Sequence, residues 1–101
     1  MVEEQLIRGA QKGDRSAFAQ LLVFVYDLIY RFAFKWAGNR FDAEDITQQA
    51  CIKLAKTIRQ FRFESAFTTW LYRLVINCAN DWGRAERRHD AALLNQQLSA
   101  P

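Results

Sequence analysis

Proline occurs once in this chain, at its last position, and glycine only four times in 101 residues. So few breakers leave little material for the turns of a sheet protein, and the chain reads as all-α. Histidine is as scarce. His89 stands alone in a basic tail, so neither cysteine has a histidine partner on a defined element, and no glycine-rich phosphate loop is present. The commonest routes to catalysis are thereby missing. The two cysteines, Cys51 and Cys78, lack metal-site spacing. They read as buried free thiols in a reducing cytosol, with a disulfide between them left open by the sequence. The carboxylates Asp42, Glu44 and Asp45 are explained by capping rather than by a metal. The opening residues do not read as a signal peptide. Its longest strongly apolar run, Leu21 to Phe34, is interrupted by Asp27 and Arg31 and reads as too short to insert in a membrane. The expectation is a cytoplasmic protein that is not an enzyme and needs no cofactor or metal.

What is present is apolar and aromatic. Half of the residues are hydrophobic and 14% are aromatic, enough for one compact core and against disorder. The net charge of +3 is unevenly placed. Residues 1–58 are nearly balanced, whereas Arg59, Arg62, Arg73, Arg84, Arg87 and Arg88 face only Glu64, Asp81 and Glu86. An anionic partner is therefore expected at the second half of the chain.

Hydrophobic periodicity predicts a compact bundle of about four helices. The first runs roughly from Val2 to Lys12 and ends at Gly13. Asp14 caps the second, which continues to about Ala37 with a stripe of Phe18, Leu21, Leu22, Val25, Leu28, Ile29, Phe32 and Trp36. Val23, Tyr26, Tyr30 and Phe34 widen its apolar arc, which implies either a central position or cover by a partner. After a Gly38-Asn39 turn, Asp42 is expected to cap the third helix, with Phe41 stapled onto Ile46 and Asp45 completing a capping-box variant. Ile46, Ala50, Leu54, Ile58 and Phe61 would face the core. Ser65 is expected to cap a fourth helix running to about Arg88. Its core stripe is Leu71, Leu74, Val75, Cys78 and Trp82, and its polar arc holds Arg73, Asn77, Asn80, Asp81, Arg84, Arg87 and Arg88.

The stretch from Gln60 to Arg88, QFRFESAFTTWLYRLVINCANDWGRAERR, sets an aromatic loop before a helix that ends in arginines. Aromatic faces stack on unpaired bases for about 1–3 kcal/mol each, and guanidinium groups grip phosphates. Three arginines in five residues, Arg84 to Arg88, exceed what the helix dipole needs.

In order, DAEDITQQACIKLAKTIRQFRFESAFTTWLYRLVINCANDWGRAERR resembles region two of bacterial RNA polymerase sigma factors, above all the extracytoplasmic-function group. The T-W-L-Y-R run after an F-R-x-E-S loop is its most specific part, and the likeness covers about residues 3–88. It implies a sigma region-two bundle over residues 1–88, with residues 89–101 starting an interdomain linker or a frayed tail. It further implies that Asp45, Gln48, Gln49 and Ile52 meet the clamp helices of the polymerase β′ subunit. Phe63, Glu64, Ser65, Phe67 and Trp70, with Arg62 beside them, would hold the non-template strand of the promoter −10 element around a flipped base. Arg73, Asn77, Asn80 and Arg84 would meet the upstream duplex, with Arg87 and Arg88 gripping phosphates. An anti-sigma factor is the implied regulator. The family's −35-binding domain is not found in this sequence, so the expectation is a piece of a longer protein, with an unusually short natural one as the alternative. Two residues depart from the family's habit: Cys51 replaces a phenylalanine, and Phe63 replaces a loop glycine. The second substitution predicts that the loop gives up the positive φ that glycine permits. The rivals are a helical protein-interaction module that reads no DNA and a thiol enzyme using Cys51 or Cys78.

Overall fold

The computed structural model describes residues 4–99, with backbone alone for the last two. The expected helical position of Val2 and the terminal Pro101 lie outside that range. Four helices follow one another: α1 (Glu4–Gln11), α2 (Arg15–Ala37), α3 (Arg40–Thr57) and α4 (Phe67–Ser99), with a single 3-10 turn at Ile58–Gln60 before the loop. No strand occurs among the described residues.

The first two turns form as their residues dictate. Gly13 and Gly38 take φ of 91° and 77°, which L side chains resist, and each ends a helix there. Asp14 accepts from the amides of Ser16 and Ala17 at the start of α2. The third start differs from expectation. Asn39, not Asp42, is the cap: its side-chain oxygen accepts from the Asp42 amide at 2.9 Å, and its side-chain nitrogen donates to the Asp42 carboxylate at 2.7 Å. An amide can satisfy both partners where a carboxylate could only accept. The helix thus begins before Phe41, whose ring is 74% exposed beside Arg40 and staples nothing. Ser65 does not cap α4 either. Its hydroxyl donates to the Ala66 carbonyl, and the Ala66 carbonyl accepts the first amides of the helix, from Thr69 and Trp70.

The core runs through all four helices. Ile7 and Ala10 come from α1; Leu21, Val25, Ile29 and Ala33 from α2; Ile46, Ala50 and Leu54 from α3; Leu71, Leu74, Val75 and Ala79 from α4. Ile58 and Phe61 close it below the loop. The inward row of α2 steps by four from Ala17 to Ala33, so Phe18, Leu22, Leu28 and Phe32 flank it half-buried. Trp36 lies at the rim, edge-on to Trp82. Cys78 and Trp82 are likewise half-buried rather than central. The outer face of α2 leaves Val23, Phe24, Tyr26 and Phe34 exposed, so Phe24 adds to the apolar arc predicted from spacing. By length and composition this helix of 23 residues would suffice to cross a membrane, contrary to the reading that its apolar run is too short. Its inward row is nevertheless packed by α1, α3 and α4.

α4 continues eleven residues past Arg88, where a frayed end or linker was expected. From Arg84 to Gln97 every side chain is exposed. The radius of gyration, 16.6 Å, exceeds the roughly 13 Å of a compact chain of this length. The bundle is compact only to about Trp82, and the rest of α4 projects from it.

Candidate nucleic-acid interface

The loop of residues 61–66 is built on Phe61, which is buried and forms an aromatic hub. Its ring centroid lies 4.7 Å from Phe63, 5.2 Å from Phe67 and 5.4 Å from Trp70. α1 fastens this hub from the far end of the sequence. The Gln11 side chain donates to the carbonyls of Ile58 and Phe61 at 2.9 and 2.8 Å, and Arg59 donates back to the Gln11 carbonyl at 3.0 Å. No sequence signal marked Gln11, because its partners lie almost fifty positions away and are backbone atoms.

Phe63 keeps a positive φ of 59°, against the expectation that the loop would give it up. The left-handed region costs a non-glycine residue about 1–3 kcal/mol. Ring contacts offset it. The tilted Phe61 pair contributes about 0.5–1.5 kcal/mol. The Arg8 guanidinium, 4.1 Å from the ring centroid, contributes about 0.5–1 kcal/mol at an exposed site. Phe63 is half-buried in consequence and packs against the core cluster.

Two hollows flank the loop. One, of about 260 Å³, is lined by Glu4, Ile7, Phe61, Phe63, Ser65, Ala66, Phe67 and Thr68. The other, of about 370 Å³, is lined by Gln60, Phe61, Arg62, Glu64, Ser65, Trp70 and Arg73. Six of the anticipated loop and helix residues therefore come together here: Arg62, Phe63, Glu64, Ser65, Trp70 and Arg73. Phe67 joins them as a buried floor, 7% exposed, and offers no free stacking face. Arg62 and Glu64 pair at 3.5 Å across the exposed loop, a contact worth little in water.

Beyond Arg73, the exposed side chains Asn77, Asn80, Arg84, Arg87 and Arg88 follow at steps of one, three or four along α4. Arg84 pairs with Asp81, whereas Arg73, Arg87 and Arg88 have no ion pair among the described residues. On α3, Asp45, Gln48, Gln49 and Ile52 are all exposed, and Ile52 is 55% open. Gln49 and Ile52 share a groove of about 610 Å³ with Asn77, Cys78, Asp81 and Trp82 of α4. The amide face of α3 and the polar arc of α4 therefore meet along one furrow.

Cys51 and Cys78 are free and half-buried. Burial pushes both thiols upward; at Cys78, Lys53 opposes that rise and Asp81 adds to it. A nucleophilic cysteine needs the opposite shift. No group of three metal-binding side chains occurs among the described residues. Asp42 is engaged by Asn39, and Glu44 lies 3.8 Å from Arg40.

Residues 24–89 match the family described as Sigma-70 region 2. The chain is 37% identical over 81 residues to the ECF RNA polymerase sigma factor SigW of Bacillus subtilis, covering 80% of this chain and 43% of that one. It is 33% identical over 88 residues to the ECF RNA polymerase sigma-E factor of Escherichia coli K12, covering 87% and 46%. The chain thus spans less than half the length of these relatives. A solved NMR structure, an engineered region 2 of sigmaE in complex with GTAAAA, superposes with a TM-score of 0.75 at 30% identity, covering 86% of this chain and 96% of that one.

Proposed function

This chain belongs to the Sigma-70 region 2 family, and from that premise we propose that it recognises the promoter −10 element and helps separate its strands for RNA polymerase. Proteins of this family start transcription without doing the chemistry, and the chain is not an enzyme. The observation that carries the proposal is the pair of hollows at the loop, one mainly apolar and aromatic, the other mixed, with Arg62 and Arg73 beside Phe61 and Trp70. A base leaving the duplex loses its stacking, a cost of a few kcal/mol that aromatic walls repay. Phe63 forms a wall of the first hollow and Phe67 lies at its base. Trp70 and Arg73 serve the second, where a sugar or phosphate would meet guanidinium. Asn77, Asn80, Arg84, Arg87 and Arg88 then track the upstream duplex.

Core polymerase docks, in the same proposal, on Asp45, Gln48, Gln49 and Ile52 of α3, through the β′ clamp helices. Exposed amides around one exposed isoleucine suit a hydrogen-bonded helix contact with a small apolar centre. The proposal extends to an anti-sigma factor as regulator and to work in the cytoplasm, where polymerase is found. A protein-docking module that reads no DNA is favoured by one feature, the exposed apolar face of α2. Titration with single-stranded GTAAAA, the oligonucleotide bound by the sigmaE relative, and with its complement TTTTAC separates the two readings. Preference for GTAAAA supports strand recognition. Equal, weak binding of both strands favours the docking module.

A further inference from the structure

We propose that Arg8 of α1 is a positioning residue for the strand-binding loop, holding Phe63 in the left-handed conformation that shapes the apolar hollow. The inference rests on the base-binding reading of that loop. Among the described residues Phe63 is the one non-glycine residue with positive φ. An aromatic residue stays in that region only where its surroundings over-determine it. Phe61 supplies one constraint, from within the core. Arg8 supplies the other, with its guanidinium carbon 4.1 Å from the centre of the Phe63 ring.

Arg8 is itself held. It donates to the Glu4 carboxylate one turn earlier at 3.1 Å, and Glu4 lines the same hollow as Phe63. The end of α1 is fixed against the loop by the Gln11 and Arg59 hydrogen bonds. A continuous path of contacts therefore runs from Glu4 through Arg8 to the Phe63 ring. All of α1 lies outside residues 24–89, the part of the chain that matches the family. The positive charge of Arg8 acts here on an aromatic face, not on a phosphate. Two consequences distinguish that role from ordinary charge attraction. Arg8 should matter only while residue 63 needs holding, and its removal should not change the salt dependence of binding.

The test is a double-mutant cycle on the whole chain, with Arg8→Ala and Phe63→Gly, read by titration with single-stranded GTAAAA at several salt concentrations. Glycine adopts the left-handed conformation without help. Arg8→Ala is expected to weaken binding roughly five-fold when Phe63 is present, the weight of one cation–π contact. In the Phe63→Gly background the same change should cost less than about two-fold. The salt slope should stay the same, whereas a lost phosphate contact would lower it by about 1. A second reading needs no DNA. A strong NMR cross-peak between the amide and α protons of Phe63 marks positive φ, and it should weaken in Arg8→Ala while circular dichroism stays helical. An unchanged cross-peak, an equal loss in both backgrounds, or a salt slope lowered by about 1 overturns the proposal. If the unaltered chain does not prefer GTAAAA to its complement, the base-binding reading fails instead, and the cross-peak alone judges the hold of Arg8 on the loop.

Discussion

At position 63 backbone and side chain pull against each other. The β-carbon is crowded at φ 59°, while the ring packs on Phe61 and beneath Arg8. Alanine would lose the ring and keep the crowding; glycine would lose the ring and relieve it. Phe63→Gly is therefore expected to melt above Phe63→Ala by the equivalent of about 1 kcal/mol, roughly 4–8 °C for a domain of this size. Thermal melts of the two variants check this, and the reverse order would mean that residue 63 is not held at positive φ. The cysteines give a second test at this scale. Burial raises both thiols, so less thiolate exists at a given pH in the folded chain than in the unfolded one. The sign is that of an acid favoured in its neutral form: folding loses stability as alkaline pH ionises the unfolded thiols first. Alkylation of native protein should be slower than of protein in denaturant, with its pH midpoint displaced upward. Fast alkylation at neutral pH would instead revive the thiol-enzyme reading. The positive φ of Phe63 was not legible in the sequence, because the residue type argues against it and the ring contacts that overcome the type come from Arg8, 55 positions away.

Among elements, the amphipathic stripes were the legible part. Ile46, Ala50, Leu54, Ile58 and Phe61 face the core as their spacing required. Helix starts were less so. Asn39 and Asp42 are both good caps by type, and the choice fell to the residue able to donate as well as accept. The faces left wet by α3 and α4 carry the next predictions. Gln48→Ala with Gln49→Ala removes two exposed amides, so the fold should shift by about 0.5 kcal/mol or less. Affinity for the β′ clamp helices should fall in a pull-down or titration; undiminished binding would move the polymerase interface elsewhere. On α4, alanine at Arg84, Arg87 and Arg88 should weaken all DNA sequences alike and flatten the salt dependence. Arg84 is already paired with Asp81, so its share should be smaller than those of Arg87 and Arg88. Altered sequence preference with an unchanged slope would assign these arginines to base edges instead.

For the whole molecule, four helices and their order could be read in advance, whereas the extent of the last could not. Periodicity fades after His89, where the side chains as far as Gln97 are exposed and no core face is needed. The helix persists through its own backbone hydrogen bonds, extended from a stretch nucleated in the bundle. The contribution of α1 was hidden for a related reason: Gln11, Glu4 and Arg8 act through tertiary contacts that no local pattern encodes. Together these features describe a bundle that presents a loop with two hollows at one place and a ridge of amides and arginines along its longest helix. The proposed role of this arrangement is to read an unpaired strand. Its most direct test is selection of the intact chain against a pool of randomised six-nucleotide single strands, in parallel with Phe63→Ala. A short motif with one dominant base should be enriched, and the variant should lose that dominance by about 1–3 kcal/mol. A pool that stays random, or a motif that Phe63→Ala leaves intact, would contradict it.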